Sequence, residues 1–355
     1  AFGDKATFAG AVFDSFARFT GAAFGAHATF DGAAFDVMAC FDGAAFGDEA
    51  TFAGAAFGNI AIFSHAAFGD KATFAGATFG SGTSFAGAAF GLLASFAGAA
   101  FGDRTDFSRA HFKGGGLFAG KSEEQWARDV ASVLGMDEKA RAALEKRHKD
   151  SWETTGSRLD CFLTISFSQA RFDGIAVFSG RSFEKTADFT NARFYYPPDF
   201  DATTNASRID FTSVHIGFVP LGRRAWTKDT QIPVRLRRLR KIAEDTKNHD
   251  LARDLYIEER KAERGLYWRQ LSDELKKAPE ELRKKLESID EQHREVWSNR
   301  RHRARARNAH RLGIAVKIAR LFVHLLWTAA MGVYWALANY GRSFARTAAW
   351  LVSSG

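Results

Sequence analysis

The residues here that could carry chemistry are ten histidines, two cysteines and the basic side chains among 49 Lys and Arg. None of them stands at a catalytic or ligand spacing: no H-E-x-x-H, C-x-x-C, G-x-S-x-G or phosphate-binding loop occurs. Cys40 and Cys161 are too few for a disulfide framework or a four-ligand zinc site, which fits a reducing compartment. Gly114, Gly115 and Gly116 are not followed by Lys-Ser/Thr, so they read as a chain corner, not a phosphate cradle. Cys40 reads as an exposed thiol with no catalytic partner, and His27 and His65 as solvated. No enzyme, cofactor or metal site is expected.

The basic residues are a different matter, because they cluster. Residues 1–120 carry six basic and ten acidic groups, whereas the formal net charge of the chain is +8. The excess lies in 221–320, and within it 294–320 holds nine Arg/Lys against Glu295 alone. Directly after comes Leu321–Ala338, 18 residues with no formal charge and one histidine, His324. That length is at the short limit for a spanning helix. Trp327, Tyr334, Trp335 and Tyr340 suit an interface, and Thr328, Gly332 and Ala336 form a small-residue stripe. A buried soluble helix is the rival, but it has no need of a basic flank. Arg300, Arg301, Arg303, Arg305, Arg307, Arg311 and Arg320 would hold their side of the segment in the cytoplasm. Anionic lipid fits this tract better than nucleic acid, since no aromatic interleaves it after Trp297.

These features must be carried by the elements before them, and those are repetitive. Phe2, Phe13, Phe24, Phe35, Phe46, Phe57, Phe68, Phe79, Phe90 and Phe101 recur every eleven residues. So do Phe8, Phe19, Phe30, Phe41, Phe52, Phe63, Phe74, Phe85, Phe96 and Phe107. A small residue, usually Ala, stands two before nearly every Phe, so both face one side of an extended segment while the residue between faces out. One unit cannot bury its own Phe, so units must stack into a solenoid with Phe and Ala inside. Phe57→Asp should therefore unfold neighbouring coils, and Thr51→Asp on the outer face should be tolerated. Four sides would need 22 residues per coil and rise ~26 Å over 1–120; two sides would need eleven and rise ~50 Å. The spacing leaves both open.

The A-x-F-x-G and A-x-F-G-x-x units resemble those of bacterial pentapeptide-repeat proteins, strongly over Ala1–Gly120 and more loosely over Phe162–Phe218. The resemblance implies a right-handed four-sided β-helix, here Phe-centred with an 11-residue double unit. Arg237–Arg264 and the Tyr340-Gly341-Arg342-Ser343 turn are similar to the charged helical connector and C-terminal, ion-channel-like membrane region of one type within that family. The expected organisation is a repeat β-solenoid at 1–120 and a helical hairpin insertion or cap at 121–159. A second, degenerate repeat solenoid follows at 160–220, then a charged helical stalk at 221–311. A membrane-associated helix and a truncated second apolar segment occupy 312–355. Phe112 and Phe167 are 55 apart, which keeps the elevenfold phase across the insertion but reads as chance. Arg181 and Pro198 at inward positions, and Asn205 where a Phe is due, mark the second stack as degenerate. Ala1 falls inside a repeat and Gly355 follows an apolar run, so the chain reads as a fragment.

The expected function is a non-enzymatic, membrane-tethered interaction scaffold at the bacterial inner membrane, its solenoid on the cytoplasmic side. Partners would be anionic lipid, an unidentified protein and further copies of the chain through the stalk or membrane helix. A second reading is the cytoplasmic sensor of an ion-channel-like protein. A third, a nucleic-acid mimic that regulates a topoisomerase, needs a strongly acidic rod, and residues 1–120 are only mildly acidic.

Overall fold

The computed structural model describes residues 1–120, 160–218, 229–267, 269, 270 and 273. The chain divides into two units, Ala1–Leu266 and Tyr267–Gly355. Within the second, Arg269 and Asp273 form an ion pair one helical turn apart at 3.8 Å.

The first unit is a β-solenoid whose coil is 22 residues long. Val12 pairs with Ala34, Ala23 with Ala45, Ala39 with Ala61 and Thr29 with Thr51, all parallel. This settles the choice that the spacing left open: two 11-residue units make one coil, and successive Phe lie on four ladders. Phe2 opens the first face, Phe8 the second, Phe13 the third and Phe19 the fourth. The first face is the most regular, an eight-stranded parallel sheet from Ala23–Phe24 to His215–Ile216, preceded by a bridge from Phe2 to Phe24.

Identical residues at identical heights produce the interior. Phe24, Phe46, Phe68 and Phe90 stack with centroids 4.8–4.9 Å apart and rings within 3° of parallel. Rings on adjacent faces meet edge to face, as Phe46 and Phe52 do at 5.4 Å. Offset stacks along the axis and T-shaped contacts across it are the two arrangements an aromatic quadrupole favours. Ala at the second-before position, such as Ala28, Ala50 and Ala72, is fully buried and leaves room for the ring above. The corners need φ near +60°. Gly supplies it at Gly10, Gly32 and Gly54, but Lys5, His27, Glu49, Lys71 and Leu93 adopt it in register on another corner.

The outer faces differ. Outward Ala23, Ala45, Ala67 and Ala89 on the first face are exposed, while Ala34, Ala56, Thr78 and Ala100 at the equivalent places on the third are buried. Cys40 stands in the column of Arg18 and Ile62 on the fourth face, where its thiol is half-buried, not exposed, and lies 3.2 Å from the Thr20 hydroxyl.

The stack does not stop at Gly120. His111 pairs with Arg171, Thr105 with Ile165 and Leu117 with Val177, each 60 residues apart where the coil requires 22. The excess of 38 is not a multiple of eleven, so the 55-residue spacing of Phe112 and Phe167 is incidental. Phe112 stacks on Phe172 at 4.8 Å, and Phe167 on Phe107 at 5.1 Å. The two repeat stretches therefore share one sheet and one core, and no free end lies between them for a cap to shield. The hairpin expected at 121–159 lies outside the described residues.

The solenoid ends against a helical hairpin. Helix α1 (Ile232–Asp245) has Pro233 in its first turn. After a turn, helix α2 runs from 249 to the unit boundary at 266. Leu236, Leu239, Ile242 and Ala243 of α1 are buried in the same core cluster as the Phe ladders. Over these residues the expected stalk is thus a cover for the last coil. The inward stripe of α2 is Ala252, Leu255, Glu259 and Ala262, while Ile257 is 39% exposed. Two residues past Leu255 is about 200° around a helix, so Ile257 cannot share its face.

Candidate functional site

The two Phe columns line the interior of the solenoid. From Phe24 to Phe107 they are buried, while Phe2 is 40% exposed and Phe8, Phe13 and Phe19 are partly covered at the open first coil. The seven arginines named beside the apolar segment, His324 and Leu321–Ala338 lie outside the described residues. No helix among the described residues is long and apolar enough to cross a membrane.

No group of three or more His, Cys, Asp or Glu among the described residues could hold a metal. His27 and Lys71 both approach Glu49, at 3.2 and 2.6 Å, and His65 approaches Asp42 at 3.4 Å; these are corner contacts between coils. Lys71, by hydrogen bond and charge, holds the Glu49 carboxyl below its ordinary pKa. Gly115 is a corner with positive φ, packed so closely on the Ile175 carbonyl that no side chain fits. A polar cleft of about 500 Å³ opens between the last coil and the α1–α2 turn, lined by Thr186, Arg208, Asp210, Asp245, Lys247 and Asn248. Its charges are of both signs, and Ile209 and Phe211 also line it.

Among the described residues Arg181 is the largest fully buried side chain, at the inward position that Ala takes in regular units. It lies where the chain returns from the insertion. Its Nε donates to the Phe118 carbonyl at 2.7 Å and its guanidinium stacks over Phe162 at 4.7 Å. Burial pulls its pKa down to about 10, so it is still charged at neutral pH. Nearby, Asp103 accepts from the Thr164 amide at 3.1 Å and from Lys185 Nζ at 3.0 Å. Those hydrogen bonds, Thr164 foremost, bring its pKa down to about 2. Both groups tie the coil before the insertion to the coils after it.

An open set of chemically active side chains lies on the first face. In its first coils the outward column is Ala23, Ala45, Ala67 and Ala89. From the fifth strand it becomes His111, Arg171, Arg193 and His215, on four consecutive rungs. Parallel neighbours are ~4.8 Å apart, so these side chains stand in one straight row. Beside them run Lys113, Asp173 and Tyr195, the last 60% exposed with its ring against Tyr196. Asp173 binds His111 Nε2 at 2.8 Å and Arg171 Nε at 2.7 Å; against burial, these bonds hold its carboxyl below the usual range. Arg193 has no side-chain hydrogen bond or ion pair to any described residue, although Arg171 stands on the next rung.

At the far end, Glu259 is fully buried and receives Arg237 Nε at 2.9 Å and Arg240 Nε at 3.0 Å. Arg240 and Arg260 both lie over the Tyr256 ring. Arg238 reaches Asp201 on the solenoid at 3.0 Å. This network fastens α1 to α2 and the pair to the coil. Compared with protein-family models, with curated proteins and with solved structures, the chain has no match.

Sequence reasoning missed the row on the first face. The signal was present as a polar residue immediately before Phe112, Phe172 and Phe194 in place of Ala, but it becomes a row only once the 60-residue step across the insertion is known.

Proposed function

We propose that this chain is a membrane-tethered interaction scaffold, related to the bacterial pentapeptide-repeat proteins that carry a charged connector and a membrane C-terminus. The observation that carries this reading is a continuous, internally filled β-solenoid, closed at one end by a basic helical hairpin whose chain leads toward the Arg-rich tract and Leu321–Ala338. A rod filled by stacked Phe has no interior room for a substrate, so its outward faces are what it offers to partners. The basic tract supplies orientation, with the solenoid on the cytoplasmic side of the inner membrane.

Fractionation of the full chain expressed in a bacterium tests the tether. Resistance to both salt and carbonate washes is the expected result. Release by salt alone reduces the attachment to surface adhesion of the basic tract, and a fully soluble chain overturns the membrane reading.

A further inference from the structure

We infer that the first face of the solenoid, through the row of His111, Arg171, Arg193 and His215 with Lys113 and Tyr195, lies against the phosphates of an anionic lipid surface. The inference rests on the membrane reading above and adds which side of the rod meets the bilayer.

The row contains a local conflict. Like charges directly opposed on neighbouring strands are destabilising, yet Arg171 and Arg193 occupy facing rungs. Asp173 answers only Arg171 and His111. Arg193 and His215 add two basic side chains with no acidic partner among the described residues, and both are exposed. Such an arrangement is satisfied by an anion from outside, and a planar guanidinium matches phosphate oxygens in paired hydrogen bonds.

The shape of the surface selects the source. Small ligands are held in concave sites that enclose most of their surface, whereas this row stands on an open parallel sheet. Its neighbours toward the first coil, Ala89, Ala67 and Ala45, are small and exposed, so on that side no described residue rises to wall a ligand in. A flat array that carries Arg171, Arg193 and Lys113 along its length complements a plane of phosphates. Tyr195, exposed next to Arg193, has the amphipathic ring that suits the headgroup level. A nucleic-acid strand would call for successive aromatic platforms, and here Tyr195 is the exposed ring beside the row among the described residues, meeting half-buried Tyr196 edge to face.

The test uses the full chain carrying Cys40→Ser, with one probe-bearing cysteine at exposed Lys113 (Lys113→Cys) or at exposed Asn59 (Asn59→Cys), on the corner between the third and fourth faces. Each is bound to phosphatidylcholine vesicles with or without one-quarter phosphatidylglycerol, both containing a headgroup-nitroxide lipid. The expected result is quenching of the probe at 113, not at 59, only where phosphatidylglycerol is present. Arg171→Gln with Arg193→Gln should weaken that approach about tenfold, while the chain still floats with the vesicles and keeps its thermal transition. Flotation with equal quenching at both positions, or with none at 113, overturns the inference and leaves the tether standing. A chain that does not float overturns both. If it then retards a single-stranded oligonucleotide through the same two arginines, the row belongs to nucleic acid.

Discussion

Phe57 and Thr51 sit six residues apart on adjacent faces, and their surroundings make opposite demands. Phe57 is 1% exposed and stacked at 4.9 Å on Phe35 and 5.1 Å on Phe79, so Phe57→Ala should cost about 3–5 kcal/mol in denaturant unfolding. Thr51 faces out as its position implied, but its hydroxyl donates to Asp31 at 2.5 Å. Thr51→Asp is therefore not neutral: it sets two carboxylates together and should cost about 1 kcal/mol, recovered when Asp31→Asn is added. Asp103 gives a pH signature. Its pKa is depressed in the folded state, so its contribution is present above the ordinary value of 3.8 and is lost as pH falls toward about 2. Between pH 4 and 2 the wild type should lose more stability than Asp103→Asn, measured by urea unfolding at each pH.

At the level of elements, the hairpin depends on one buried acid. Glu259→Ala leaves Arg237 and Arg240 facing each other without their shared carboxylate and should cost about 2–4 kcal/mol. Arg238→Ala, which removes a solvent-exposed pair with Asp201, should cost under about 1 kcal/mol. Amide exchange across α1 and α2 separates the two, since only the first substitution should expose both helices together. These helices also mark how far the sequence could be read. The α1 stripe of Leu236, Leu239 and Ile242 was legible because apolar residues recur at helical spacing. Glu259 was not, because a charge on the inward face makes sense only when two arginines from the other helix surround it. Likewise the inward orientation of Phe and Ala followed from alternation along a strand. The burial of Ala34 and Ala56 at outward positions depends on what lies beside the strand and left no trace in local pattern, whereas the row on the first face left polar residues before Phe112, Phe172 and Phe194 but not their alignment.

For the molecule as a whole, continuity across the insertion is the governing fact. Because Thr105–Ile165, His111–Arg171 and Leu117–Val177 pair as ordinary neighbours, the coils before and after should unfold together. Deleting residues 122–159 removes the excess of 38 and restores the 22-residue step from Phe107 to Phe167. That variant should keep the β-sheet circular dichroism of the parent and melt in one transition from the solenoid. Two separated transitions would mean that the stretches are independent. The number of residues per coil could not be read beforehand for a related reason: a period of eleven is compatible with any even division of the circuit, and only pairing in space counts the sides.

The mismatch between that elevenfold sequence period and the 22-residue coil constrains how such a chain can change length. Gaining or losing two units in frame inserts or removes one floor and leaves every later side chain above its former neighbours. Gaining or losing a single unit preserves the Phe pattern, and so the core, but turns everything downstream by half a circuit. The row of His111, Arg171, Arg193 and His215 would then emerge on the opposite side of the rod. Folding would tolerate odd and even changes alike, whereas any partner that reads one face would accept only the even ones.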